Sequence, residues 1–150
     1  MRSDTTTPDT RLSDHPMEFT PAAVGALVRL TLGGLHTWYR GGLHHYRLRY
    51  FDPIARRAGL PQDVAALVEK MSADETTLVL VNVHQVETRE VIVQMGAYAE
   101  HQCIKVAVNG RDLPVERPHF TVHLAPGAGG RIVITQKRYA REPTLAHPWD

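Results

Sequence analysis

The chain has 150 residues, of which 43% are hydrophobic and 22% charged, so its composition is that of a folded globular domain with appendages rather than of a disordered chain. Its 17 Lys and Arg residues nearly balance 16 Asp and Glu residues, and a net charge of +1 supplies no global field to attract nucleic acid or an anionic membrane. Cys103 is the only cysteine, which excludes an intrachain disulfide framework and a multi-cysteine zinc site.

The N-terminal segment is predicted to be a disordered leader. Residues 1–18 consist largely of polar residues and proline, and they carry too few apolar side chains to offset the entropy cost of ordering. Neither this segment nor any later one contains the apolar run that a secretory signal or a membrane-spanning helix requires. The sequence therefore predicts a cytoplasmic protein without a membrane partner.

A short helix is predicted over residues 21–32. Thr20 is a favourable N-cap, Pro21 suits the first helical position, and Gly33 follows as a terminator. Apolar residues recur in the segment at helical spacing, namely Val24, Leu27, Val28 and Leu30. We expect these four residues to contact a larger domain or a second copy of the chain.

The segment after the helix is rich in glycine and aromatic residues. Together with the helix it forms a connecting region, residues 19–62, in which the best regular segment is one strand over residues 43–50. Asp52 and Pro53 end that strand. We therefore expect residues 19–62 to lead into the main domain.

Residues 63–138 show the pattern of an antiparallel β-sandwich. The first segment, residues 63–71, fits a helix face as well as a strand, and we choose a strand because the segment leads into a plausible hairpin. Asn109-Gly110 favours a type I′ hairpin turn. Short segments separated by turn residues predict the other strands over 77–83, 89–95, 103–108, 111–115, 119–124 and 131–137. The predicted fold is mainly all-β and immunoglobulin-like.

The last residues, 139–150, follow the final strand as a tail. They carry two prolines and include Trp149 next to the end. Such a tail either frays or packs on a neighbouring surface, and packing on its own sandwich is the less expected arrangement.

Nine histidines invite a metal-site interpretation, but their spacing gives it little support. His119 and His123 are four residues apart on a predicted strand, where a rise of about 3.3 Å per residue separates them by roughly 13 Å, too far for one zinc ion. His44 and His45 are consecutive and point to opposite faces of a strand. A metal site would therefore have to combine His36 with one of that pair and with a Glu or Asp from elsewhere in the chain. No cofactor is predicted.

No catalytic constellation is evident in the sequence. Cys103 lies in an apolar strand, where a thiol is usually a small hydrophobic side chain with a raised pKa. Glu87, Glu90 and Glu100 flank strands, and solvated carboxylates on a sandwich surface explain them better than a paired catalytic site does. The glycine pairs lack the spacing of a phosphate-binding loop. We therefore predict no catalytic residue for the isolated chain.

Four aromatic residues are candidates for ligand binding. Exposed aromatic rings stack on sugar rings, and such a platform would consist of Trp38, Tyr39, Tyr46 and Tyr98. The alternative is that some of these rings are buried in the core.

The central part of the chain resembles a known accessory domain. The stretch TTLVLVNVHQVETREVIVQMGAYAEHQ is similar to the C-terminal β-sandwich that follows the catalytic domain in many glycoside hydrolases. Its motifs are Leu-x-Leu-Val-Asn and Glu-x-Arg-x-Val, matched at Leu78, Leu80, Val81, Asn82, Glu87, Arg89 and Val91. Over about residues 25–150 the chain also resembles the ends of large uncharacterised bacterial proteins. The resemblance implies an accessory domain whose catalytic partner lies upstream, and it carries over no catalytic residue.

Three functions are compatible with these observations. The first is a non-catalytic accessory or scaffolding module, a truncated C-terminal part of a larger bacterial and carbohydrate-active enzyme. The second is a carbohydrate-binding module that uses the surface aromatics. The third is a small metal-dependent enzyme that uses histidine ligands.

Overall fold

The computed structural model describes residues 25–35 and 43–150, which consist mainly of β-strands. The elements are the helix α1 (Gly25–Leu32) and the strands β1 (Gly34–Leu35), β2 (His45–Tyr46), β3 (Leu48–Asp52), β4 (Arg57–Ala58), β5 (Val64–Met71), β6 (Glu75–Asn82), β7 (Arg89–Met95), β8 (Gln102–Val108), β9 (Arg111–Arg117), β10 (His119–Leu124) and β11 (Gly129–Lys137). The choice of a strand rather than a helix for residues 63–71 is confirmed by β5.

Two antiparallel sheets form a β-sandwich, as the sequence predicts. One sheet has four strands in the order β10, β7, β3, β4, and the other has five strands in the order β5, β6, β11, β8, β9. β1 and β2 form a separate two-stranded sheet. Strands of both larger sheets contribute aliphatic side chains to one shared core, so the sandwich is held together by burial between the sheets.

The strand β6 shows how period-two burial defines the interior. Every second residue is fully buried, from Thr76 to Asn82. Val79 and Val81, which lie between them, are half-buried. The outer face of this strand is therefore covered only in part.

The four-stranded sheet includes residues that the sequence assigns to the connecting region. β3 pairs with β7, with Leu48 opposite Met95 and Phe51 opposite Ile92, and β4 pairs with β3. The sandwich therefore includes β3 and β4 in addition to residues 63–138. The sequence does not reveal the pairing of β3 with β7, because the two strands are far apart in the chain.

The strand predicted over residues 43–50 is interrupted at Arg47. The Arg47 N–H donates to the carbonyl oxygens of Leu32, at 3.0 Å, and of Gly33, at 2.9 Å. These bonds tie the backbone to the end of α1, so β2 and β3 are separate strands in different sheets.

The hairpin predicted at Asn109-Gly110 is confirmed. Both residues have positive φ, 51° and 76°, as a type I′ turn requires. Val108 pairs with Arg111 across the turn. The hairpin leads into β9, an edge strand in which Pro114 is tolerated because one side of the strand pairs with no other strand of residues 25–35 and 43–150.

The C-terminal tail packs on its own sandwich, contrary to the expectation for residues 139–150. The Trp149 ring makes an edge contact with Phe51, with ring centroids 5.7 Å apart, and stacks on His147 at 5.0 Å. Phe51 is consequently 0% exposed although it lies on the outer face of the four-stranded sheet. The tail thus covers apolar surface that a two-layer sandwich would otherwise leave in water.

Some predictions fall on residues outside the described ranges. They concern the leader over residues 1–18, the helix N-terminus at Thr20 and Pro21, and Val24. The predicted end of the helix at Gly33 is confirmed.

Candidate functional site

A large apolar cavity lies between α1, the start of β5 and the edge of the sandwich near β3. Its volume is about 880 Å³, which is within the range of about 300 to 1,000 Å³ typical of small-molecule sites. None of the described residues that line it is acidic. They are Leu27, Val28, Thr31, Leu32, His44, Tyr46, Arg49, Tyr50, Gly59, Leu60, Val64, Ala65, Ala66, Ala97, Tyr98 and Leu145.

Two walls of the cavity are aliphatic. α1 supplies Leu27 and Leu32, and β5 supplies Val64 and Ala66, which lie on one face of that strand. The Ala66 side chain is short, so it leaves open space between helix and strand that a larger side chain would fill. These walls favour a ligand with an apolar body.

The position of α1 depends on Gly33. Its φ is +65°, and its N–H donates to the Arg29 carbonyl at 2.9 Å, which is a left-handed C-cap. A Cβ atom at this position would lie 2.9 Å from Met71 Sδ and 2.9 Å from Val68 Cγ1. Glycine is therefore required both for the backbone conformation and for the close approach of the helix end to β5.

Tyr50 joins the sandwich to α1. Its hydroxyl donates to the Thr31 carbonyl oxygen at 2.6 Å. Burial raises the pKa of Tyr50 far above its ordinary value, so the hydroxyl stays protonated at physiological pH. The side chain is thus a positioning group that orients the helix over the cavity.

Two of the predicted site residues, Tyr46 and Tyr98, both line the cavity. The Tyr46 ring stacks on the His44 ring with centroids 5.0 Å apart, and the His44 backbone N–H donates to the Tyr98 hydroxyl oxygen at 3.4 Å. The structure therefore brings together two of the four predicted aromatic residues. The other two, Trp38 and Tyr39, lie outside the described residues.

Arg49 is the only Lys or Arg among the described residues that line the cavity. Its guanidinium donates through Nη1 to the Ala97 carbonyl at 3.2 Å and lies 4.8 Å from the centroid of the Phe51 ring. Within residues 25–35 and 43–150 no carboxylate forms an ion pair with it. The cavity wall therefore carries one fixed positive charge.

Several residues of the cavity carry no distinguishing signal in the sequence. Leu60 and Leu145 lie in segments interpreted as a connection and a tail, and Ala66 lies on a strand without a distinguishing pattern. The Thr144 N–H donates to the Tyr98 carbonyl at 2.8 Å, which brings the tail to the cavity. No sequence signal marks these residues, because their proximity results from tertiary packing.

The histidine candidates do not form a metal site in the described part of the chain. His44 and His45 are exposed, and His36 lies outside the described residues. Among residues 25–35 and 43–150, no group of three or more His, Cys, Asp or Glu side chains is arranged to hold a metal ion.

The glutamates considered as a carboxylate pair have different partners. Glu87 lies 2.6 Å from the Arg89 guanidinium, and this hydrogen bond lowers the pKa of Glu87. Glu90 lies 3.0 Å from His123. Glu100 is buried and accepts a hydrogen bond from a backbone N–H. None of the three lines the cavity.

Two other titratable groups are buried away from the cavity. Burial raises the pKa of the Cys103 thiol to about 12, so the thiol is inert at neutral pH. Burial lowers the pKa of His101, whose Nδ1 accepts the Tyr139 N–H at 3.1 Å. Both side chains are buried within the fold, and neither lines the cavity.

Comparison of the chain with protein-family models, with curated proteins and with solved structures finds no match in any of the three. The resemblance to accessory domains of glycoside hydrolases therefore stays a prediction. In the part of the chain that the structure describes, no helix is long and apolar enough to cross a membrane.

Proposed function

We propose that this chain is a non-catalytic accessory β-sandwich module that holds the apolar part of a partner in the cavity between α1 and β5. The observation that carries the proposal is the cavity itself, with a volume of about 880 Å³ and two aliphatic walls. At its rim Leu27 is 63% exposed and Leu145 is 77% exposed. Apolar surface of this kind is stabilised when a partner removes it from water.

The accessory role includes a contact with a larger domain. The sequence resemblance to C-terminal domains of large bacterial enzymes supports such a partner. Leu27 and Leu30 of α1 are 63% and 54% exposed, which leaves an apolar helix side available for the contact. In the absence of that domain the same surface is expected to promote self-association, which sedimentation velocity detects. The double variant Leu27→Glu, Leu30→Glu is expected to reduce this self-association.

A non-catalytic role is also supported by the environments of the residues that the sequence singles out for chemistry. The Cys103 thiol is fully buried in the core. Glu87 is engaged by Arg89, and Glu100 is bound to backbone within the fold.

Binding of the neutral apolar dye Nile red tests the proposal. We expect the folded protein to bind the dye and Ala66→Trp to weaken binding by about tenfold or more, because Ala66 lies on the same face of β5 as Val64 and the new ring would fill part of the cavity. Ala140→Trp, at an exposed position away from the lining, is the matched control. Absence of dye binding, or equal loss in both variants, would refute the cavity as the binding site.

A carbohydrate-binding module is the second candidate. It is favoured by one observation, the presence of Tyr46 and Tyr98 on the same cavity. Titration with a panel of oligosaccharides, with Tyr98→Ala as the comparison, tests it. Binding that depends on Tyr98 would support the candidate, and flat titrations of the wild-type protein would remove it.

A further inference from the structure

The charge distribution of the cavity restricts the chemistry of its ligand. Arg49 supplies a permanent positive charge to a wall that is otherwise aliphatic or aromatic. None of the described lining residues is acidic, so nothing in this part of the wall neutralises the charge. A ligand that fills the cavity would bring its own counter-charge or leave the cation facing apolar atoms, which is unfavourable.

The guanidinium is held in place and still has donors available. Nη1 donates to the Ala97 carbonyl at 3.2 Å, and the Phe51 ring lies 4.8 Å below the charge. Nε and Nη2 make no hydrogen bond to any residue within 25–35 or 43–150. Because a guanidinium presents its N–H groups as a planar fork, two adjacent donors can bind both oxygens of one carboxylate.

Phenolic hydroxyls add polar character on the same cavity. Tyr46 and Tyr98 belong to the lining together with Arg49. The aliphatic walls are formed by α1 and β5, on other elements. The cavity therefore combines an apolar part with a cationic and hydroxyl-bearing part, which is the arrangement that an amphipathic anion requires.

We propose that the cavity binds a small amphipathic carboxylate, whose apolar body lies against α1 and β5 and whose carboxylate group pairs with Arg49. This inference rests on the proposed function and names the ligand class. A small molecule suits the cavity, because about 880 Å³ lies within the range of about 300 to 1,000 Å³ that small-molecule sites occupy.

Displacement of Nile red by three ligands of equal chain length tests the inference. Decanoate, 1-decanol and decylamine share the same apolar body and differ in the charge of the end group. We expect decanoate to displace the dye at a concentration at least about tenfold lower than decanol, and decylamine to be the weakest, because only the carboxylate forms a charge-assisted hydrogen bond with the guanidinium. This comparison uses the wild-type protein and needs no variant.

Two substitutions then assign the preference to one side chain. Arg49→Gln is expected to reduce the decanoate preference to less than about threefold while decanol binding is retained. Arg29→Gln removes the same charge from α1 at a position outside the lining and is expected to keep the preference. Urea unfolding of both variants verifies that they fold.

The outcomes separate the inference from the proposed function. If dye and all three ligands fail to bind, both are refuted. If the ligands bind with equal affinity, or if Arg29→Gln abolishes the preference as fully as Arg49→Gln does, the cavity remains a binding site and the carboxylate assignment is wrong.

Discussion

Replacement of Asn82 by alanine is expected to destabilise the protein by about 3 kcal/mol, because one buried amide joins the two sheets. The side chain is fully buried at the end of β6, in the five-stranded sheet. Its Nδ2 donates to the carbonyls of Glu87 at 2.8 Å, Ala125 at 3.1 Å and Leu124 at 3.3 Å, and its Oδ1 accepts the His84 N–H at 3.0 Å. Glu87 precedes β7 and Leu124 ends β10, so these bonds reach the four-stranded sheet.

The magnitude follows from the number of bonds lost. Alanine at position 82 removes two N–H donors, which the three carbonyls share, and one acceptor oxygen, so about three hydrogen bonds are lost, and each contributes about 1 kcal/mol net. For a chain of this length, about 3 kcal/mol lowers Tm by roughly 6 to 12 °C. Asn82→Asp keeps the acceptor but turns a negative charge toward three carbonyl oxygens, so it is expected to destabilise at least as much as alanine does.

Urea unfolding followed by far-ultraviolet circular dichroism measures the effect. Gln85→Ala is the matched control, because its amide donates to the Val83 carbonyl at 3.1 Å in the same loop but at an exposed position. That control is expected to change stability by less than about 0.5 kcal/mol. A free energy of unfolding for Asn82→Ala within about 1 kcal/mol of wild type, or a well-tolerated Asn82→Asp, would refute this role of the amide.

Three further predictions concern buried groups. Burial lowers the pKa of His101 and of His119 in the folded state. The stability that these side chains contribute is therefore complete above the pKa of histidine in the unfolded chain, about 6.5, and is lost as the pH falls below it. Urea unfolding from pH 8 to pH 5 measures this loss. The Cys103 thiol, with its pKa raised to about 12, is expected to react with a thiol reagent at pH 8 only as fast as the protein unfolds. Trp149→Ala is expected to cost about 1 to 2 kcal/mol by thermal unfolding, because it removes the aromatic contact and exposes Phe51.

Each of these predictions has a control. His101→Gln is expected to flatten the pH dependence, and His45→Gln, at an exposed position, controls for the loss of one imidazole. Labelling of Cys103 faster than global unfolding would contradict its burial. Leu145→Ala shortens a 77% exposed side chain of the same tail, and a cost as large as that of Trp149→Ala would argue against a specific contact with Phe51.

The sequence by itself determined most of the sandwich. Alternating burial along a strand is a local property, and the pattern from Thr77 to Lys137 predicts the strands β6 to β11. The turn at Asn109-Gly110 is equally local, because positive φ at both positions depends on those two residues alone. These elements were predictable because each depends on residues that are neighbours in the chain.

Local patterns also located part of the candidate site. Tyr46 and Tyr98 were identified as exposed aromatic candidates, and both line the cavity. The reason for their proximity is not visible in the sequence, since one follows α1 and the other follows β7. Asn82 is a second example. It belongs to the accessory-domain motif in the sequence, but its hydrogen bonds to distant carbonyls are visible only in the structure.

Only the tertiary structure decided where the cavity is and what charge it carries. β3 joins the sandwich through pairing with the distant strand β7, the tail returns to cover Phe51, and α1 approaches β5 at Gly33. Together these long-range contacts surround a space beside Arg49. A cavity is the volume that packing leaves unfilled, so it depends on all of its walls at once, and no periodicity within a single segment can specify it.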